Sequence, residues 1–155
     1  MEIITKKYLN LSIYKEFLSK EECEKLFEDM LLSKKISPPK LTKKGVTAKL
    51  KCTKIYGDTD IIKNYVVTYF GQTSHREIES FNNFPELLLI KDKIETLTSQ
   101  KYHVCVIQYY HTGEIGINPH RDKEMKSGTI IASLSLGSTR VMKFERYNES
   151  VEIPL

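Results

Sequence analysis

Tryptophan is absent from these 155 residues, and cysteine is scarce. The three cysteines, Cys23, Cys52 and Cys105, are odd in number and far apart, with no C-x-x-C pair. That spacing speaks against a disulfide framework and against a thiolate zinc site. Long apolar runs are missing too. The longest in the middle of the chain is "LLLI", Leu87 to Ile90, far short of the roughly 20 residues of a membrane-spanning helix. The opening "MEIITKKYLN" lacks the apolar core of a signal peptide. An intracellular protein of the cytoplasm or nucleus, neither secreted nor bound to a membrane, is expected. Acidic residues are also missing over one long stretch, with none between Asp29 and Asp58. Eight lysines fall inside it: Lys34, Lys35, Lys40, Lys43, Lys44, Lys49, Lys51 and Lys54. Such a run is either a solvated loop or a stripe facing phosphates, since clustered lysines release counterions from nucleic acid.

What is present is ordinary for one globular domain: 40% hydrophobic and 28% charged residues, with a net charge of +4. "SKEECEKLFEDMLLSK" predicts a helix. Ser19 and Glu22 form an S-x-x-E capping box. Cys23, Leu26, Phe27, Met30 and Leu31 then make one apolar face, and Pro38-Pro39 stops the helix. Gly57-Asp58 signals a turn, and "NYVVTYFGQ" a strand. A second helix is predicted from Pro85 to about Thr98, with Leu87, Ile90, Ile94 and Leu97 in helical period. Beyond it the pattern becomes extended. "YHVCVIQYY" (Tyr102 to Tyr110) predicts a strand, "HTGEIG" a turn, and "TIIASLSLG" with "TRVMKFERY" a hairpin about Gly137-Ser138. "SVEIPL" predicts the opening of a further strand. Helices first and short strands afterwards give an α+β class whose strand part is an antiparallel barrel or jelly roll.

The chemistry concentrates in "INPHRDKEM". On an extended backbone His120 and Asp122 point to the same side, so both can reach one ion. An imidazole and a carboxylate, with a second histidine from elsewhere, make the facial triad of non-haem iron(II) oxygenases. A bare H-x-D is also a common triplet of turns and surfaces, and the spacing alone leaves both readings open.

The surroundings of the triplet carry a resemblance. "QYYHTGEIGINPHRDKE" resembles the N-x-Y-x-x-G, seven residues, H-x-D-x-E signature of AlkB-type 2-oxoglutarate- and iron(II)-dependent dioxygenases. "IIASLSLGSTRVMKFER" is similar to the family strands that follow, "KIYGD" and "YVVTYFG" to its substrate lid, and "FLSKEECEKLFEDM" to its opening helix. The resemblance implies one domain, 1–155. Residues 1–100 would be the N-terminal helices and lid. Residues 101–155 would be the first part of a double-stranded β-helix, a jelly-roll core incomplete at its C-terminal end. It implies iron(II) as metal and 2-oxoglutarate as cosubstrate. His120 and Asp122 would be metal ligands, and Tyr110 and Gln108 would bind the cosubstrate, Gln108 standing where the family has asparagine. Glu124, Arg121, Tyr56, Tyr69 and Phe70 would meet the substrate, an alkylated base in DNA or RNA reached by base flipping.

The family pattern continues with a distal histidine and with arginines on a late strand, and the sequence ends at Leu155 before either. His75, His103 and His111 all lie upstream, and Arg140 and Arg146 fall on a different strand. Two of three ligands and weak cosubstrate binding are therefore expected. The alternatives are a catalytically inactive truncated remnant or partner subunit that binds nucleic acid, with a second polypeptide completing the jelly roll, or a dioxygenase of protein or another substrate.

Overall fold

The computed structural model describes residues 2–6, 9–32, 36, 52–63, 65–69, 72–122, 125–126 and 128–155. In chain order the elements are β1 (Glu2–Lys6), β2 (Leu9–Ile13), α1 (Lys20–Leu32), β3 (Cys52–Gly57), β4 (Tyr65–Tyr69), β5 (Gln72–Arg76) and β6 (Glu79–Ser80). A 3-10 turn (Phe81–Asn83), α2 (Pro85–Thr98), β7 (Val104–Tyr109), β8 (Val141–Arg146) and β9 (Glu149–Pro154) follow. The chain divides into two compact units, the first of residues 1–33, 117–121 and 133–155, the second of 34–116 and 122–132.

In the first unit β1 and β2 pair antiparallel, from Glu2 opposite Ile13 to Lys6 opposite Leu9. The capping box of α1 closes in both directions. Glu22 N–H donates to Ser19 Oγ at 3.1 Å, and Ser19 N–H donates to Glu22 Oε2 at 2.7 Å, so two of the orphan N–H groups at the helix start are satisfied. Leu26 and Met30 are buried on the inner face, while the exposed face carries Lys20–Glu24 and Lys25–Asp29 ion pairs one turn apart. Gly137 lies under the Phe27 ring with φ of +87°, and a Cβ there would stand 3.2 Å from Phe27 Cε2. Only glycine meets both conditions without strain.

The hairpin of this unit differs from the expected one. No strand forms over 129–136. Instead β8 pairs with β9, from Val141 opposite Pro154 to Arg146 opposite Glu149, around Tyr147-Asn148, with Tyr147 at φ +53°. Arg140 and Leu155 extend the pairing by exchanging backbone bonds of 2.7 and 2.8 Å. Gly137 does redirect the chain, as expected of a turn glycine, but joins no pair of strands. A strand needs a backbone neighbour as well as the right composition, and among the described residues Thr129–Leu136 has none as a ladder.

In the second unit β3 lies between β6, to which it is parallel, and β7, to which it is antiparallel. The β3–β7 register runs from Cys52 opposite Tyr109 to Gly57 opposite Val104. β4 and β5 form a separate hairpin. α2 covers the expected Pro85–Thr98, with proline in its first turn and Ser99 in the left-handed conformation at its C-terminal end. Leu87 and Ile90 are buried with Phe81 and Phe84. Leu97, placed on the same face by its period, is exposed.

One buried residue of α2 is charged. Glu95, 6% exposed, accepts from Lys101 Nζ at 2.5 Å, Tyr102 N–H at 2.9 Å and Lys91 Nζ at 2.9 Å. Burial on its own would raise its pKa, but these three donors outweigh it and hold the carboxyl at about 2. Asp58 accepts from His103 Nδ1 at 2.8 Å, and its backbone N–H bonds the His103 carbonyl. Together these contacts tie the end of α2 and the turn after β3 to the start of β7.

Among the described residues, two helices and several small sheets give a mixed α and β architecture. Among the described residues no sheet has more than three strands, so a complete jelly roll is not established. No described helix is long and apolar enough to cross a membrane.

Candidate functional site

Strand β7 delivers two of the expected cosubstrate residues. Gln108 and Tyr110 are two apart at its end and so fall on one side. The structure brings them together, with the Tyr110 hydroxyl donating to Gln108 Oε1 at 2.6 Å. Gln108 sits opposite Thr53 of β3, which fixes its backbone. With its oxygen engaged by the phenol, the amide turns its Nε2 donors the other way. The longer side chain therefore gains a local partner and presents N–H groups, the atoms a carboxylate needs.

Beyond β7 the chain leaves regular structure. Ile115 N–H bonds the Thr112 carbonyl at 3.4 Å, and Ile115 is buried. His111 tilts against Tyr109, with ring centroids 6.4 Å apart, and its Nδ1 is buried without a hydrogen-bond partner among the described residues.

His120 belongs to the first unit and is exposed. Its Nδ1 lies 2.9 Å from the Asn118 carbonyl oxygen. That oxygen can only accept, so Nδ1 carries a proton. A backbone carbonyl holding one imidazole nitrogen while the other faces a metal is a recurrent arrangement of metal-ligating histidines. Asp122 belongs to the second unit and is exposed. Imidazole and carboxylate are donor types that suit iron(II). No group of three histidine, cysteine or acidic side chains assembles around a common point among the described residues.

The expected substrate residues divide. Tyr56 is corrected by the structure: it is wholly buried in β3, packed against Phe84 with centroids 5.6 Å apart at 59°, and offers no face to a base. Burial, with the Glu79 carboxylate nearby, pushes its hydroxyl up to about 12. Arg121 is exposed beside His120 in sequence. Tyr69 closes β4, but its side chain, together with Phe70 and Glu124, lies outside the described residues. Seven of the eight lysines of the basic stretch do so as well. The eighth, Lys54, is half-buried and pairs with Glu79. Burial pushes the Cys105 thiol up to about 11, which keeps it protonated at neutral pH. Arg140 is held by the β8–β9 pairing, and Arg146 stacks over Tyr147 at 5.6 Å.

Gln100 was not singled out by any motif. Its carboxamide bonds both backbone groups of Ile130, Nε2 to the carbonyl at 2.9 Å and Oε1 from the N–H at 3.0 Å. The partners are 30 residues apart, and no local signal marks such a pair.

A comparison with curated proteins finds no match. A comparison with protein families finds one: the 2OG-Fe(II) oxygenase superfamily, over residues 10–155. That match takes in α1, β7, the His120-x-Asp122 loop and the β8–β9 hairpin, nearly the whole chain, and members of the family use iron(II) and 2-oxoglutarate. The chain belongs to the 2OG-Fe(II) oxygenase superfamily.

Proposed function

We propose that this oxygenase acts on alkylated bases of DNA or RNA, removing N-methyl groups oxidatively. The observation that carries the reading is the coincidence of family membership with the motif order Gln108-x-Tyr110, Gly113, His120-x-Asp122-x-Glu124. The basic stretch between Lys34 and Lys54 adds to it, because lysines without interspersed acids suit a polyphosphate better than a lipid or a small metabolite.

Iron(II), when bound with 2-oxoglutarate and dioxygen, supplies an oxidant for a C–H bond and leaves succinate and carbon dioxide. His120, through Nε2, and Asp122 would hold the metal. The Asn118 carbonyl accepts from His120 Nδ1 and would orient the ring with Nε2 toward the metal. Gln108 would donate from Nε2 to a cosubstrate carboxylate, with Tyr110 orienting the amide. Glu124, two residues beyond Asp122, would face the base and stabilise a cationic methylated ring. Tyr56 has no part in it.

The test is turnover with iron(II), 2-oxoglutarate and single strands containing 1-methyladenine or 3-methylcytosine. The reading expects succinate formed in step with demethylated base, and loss of both in His120→Ala. Succinate formation that ignores every methylated base leaves an oxygenase with a different substrate.

A further inference from the structure

The turn that joins β8 to β9 is built against local preference. Two-residue hairpin turns take a positive φ at their first central position, where glycine, asparagine or aspartate is the usual residue. Tyr147 holds that position here, at φ +53°. Asn148, of the type that tolerates such a backbone, stands one place later. For a bulky side chain this conformation is strained.

Burial does not offset the strain. Tyr147 is 77% exposed, against 38% for Tyr14, the next most exposed phenyl or phenol ring among the described residues. Arg146 lies over the Tyr147 ring, its Cζ 5.6 Å from the centroid. Glu149 stands opposite Arg146 in the ladder, and opposite charges at directly facing positions attract. The support beneath is ordered. The ladder runs from this pair back to Val141 opposite Pro154, Ile153 is buried, and Arg140 and Leu155 close the far end by backbone bonds of 2.7 and 2.8 Å. A ring carried on such a support loses little further freedom when it binds.

We propose that Tyr147 is a stacking contact for an unpaired nucleobase, with Arg146 bracing the ring. Strained backbone persists mainly where function uses it. What the strain displays here is a planar, amphipathic face in water, and every nucleobase offers a π-face to match it. A stack of this kind reads no particular sequence, so the contact would hold a strand rather than choose the base to be oxidised. The proposal rests on the reading of nucleic acid as substrate.

The experiment uses the full chain, labelled single strands of DNA and RNA followed by fluorescence anisotropy, and thermal unfolding. Tyr147→Asn removes the ring and suits the backbone. Its Kd for a strand is expected to rise about tenfold, the order of one lost base–aromatic stack. Its melting temperature is expected to rise by about 2–4 °C as the strain is relieved. Tyr147→Phe keeps the π-face and is expected to bind within about twofold of wild type. On a strand of the same length that carries no bases, wild type and Tyr147→Asn are expected to bind alike. A melting temperature that does not rise in Tyr147→Asn removes the strain on which the proposal stands. An unchanged Kd in Tyr147→Asn overturns the stacking contact, and so does an equal loss on the strand without bases. Wild type that binds neither DNA nor RNA at low salt overturns the nucleic-acid reading and the stacking contact together. Strand binding that is indifferent to Tyr147 overturns the contact alone.

Discussion

The Tyr110 hydroxyl donates to Gln108 Oε1 at 2.6 Å. The two residues thus act as a unit, the phenol setting the amide and the amide presenting its N–H groups. Gln108→Glu replaces those donors with a charge that repels a carboxylate. It should raise the Kd for 2-oxoglutarate at least tenfold, measured anaerobically with iron(II) present. Tyr110→Phe leaves the amide in place but free to rotate, and should cost less. Equal losses in the two variants would mean that Tyr110, not Gln108, makes the contact.

The His120 ring has its Nδ1 proton committed to the Asn118 carbonyl at 2.9 Å. If Nε2 ligates the metal as proposed, His120→Ala should abolish specific iron(II) binding. His120→Gln keeps some polar capacity but loses the imidazole, and should weaken binding by more than the 10- to 100-fold (roughly) seen when only a supporting bond is lost. Calorimetry under anaerobic conditions distinguishes them. Iron(II) bound as tightly by His120→Ala as by wild type would remove His120 from the site.

Glu95 is held at about 2 while buried among Lys101, Tyr102 and Lys91. Its folded pKa lies below its unfolded value, so the unfolded state binds the proton more tightly. The stabilisation is complete above the unfolded pKa, near 4.3, and drains away as pH falls from there toward 2. Urea midpoints taken from pH 6 to pH 2.5 should drop for wild type over that window and drop less for Glu95→Gln. That variant should also lose about 3 kcal/mol at neutral pH, because it leaves lysines beside a buried neutral amide.

A Cβ on Gly57 would meet Ile78 Cγ2 at 2.9 Å and the His103 carbonyl at 3.0 Å. The second contact is backbone, and the same carbonyl accepts from Asp58 N–H. Gly57→Ala should therefore force β3 and β7 apart locally and destabilise the fold by about 1–3 kcal/mol. A melting temperature unchanged from wild type would show that the strands accommodate the methyl.

If the lysines from Lys34 to Lys51 meet phosphates, affinity for short single strands should fall steeply with salt. Its logarithm should drop by roughly 0.7 per phosphate neutralised for each tenfold rise in salt concentration. Replacing Lys43, Lys44, Lys49 and Lys51 with glutamine should flatten that slope. Lys54 serves as the internal control, since it is paired with Glu79, and its replacement should act on stability more than on salt dependence.

The parts legible from sequence are those whose causes are local. Ser19 and Glu22 are three residues apart, so the capping box is written in the order of the letters and closes as read. Pro85 starts α2 where its missing N–H costs nothing, and the apolar period carries the helix to Thr98. The H-x-D spacing by itself leaves a turn and an iron site both open, and it takes the surrounding motif to favour the second. Other features were decided by residues far apart. Thr129–Leu136 reads as a strand and is not one, because a strand exists only with a neighbour, and what reaches Ile130 is the side chain of Gln100. Tyr56, which the resemblance places at the substrate, is buried, because β6 and β7 flank β3 and Phe84 packs against its ring. Glu95 carries no local signal of burial and is buried, because Lys91, Lys101 and the Tyr102 N–H converge on it. Composition and period determine which segments can be helical or extended and which side chains carry chemistry. Which of them are paired, buried or aimed depends on backbone and side-chain partners tens of residues away, and only the tertiary structure supplies those.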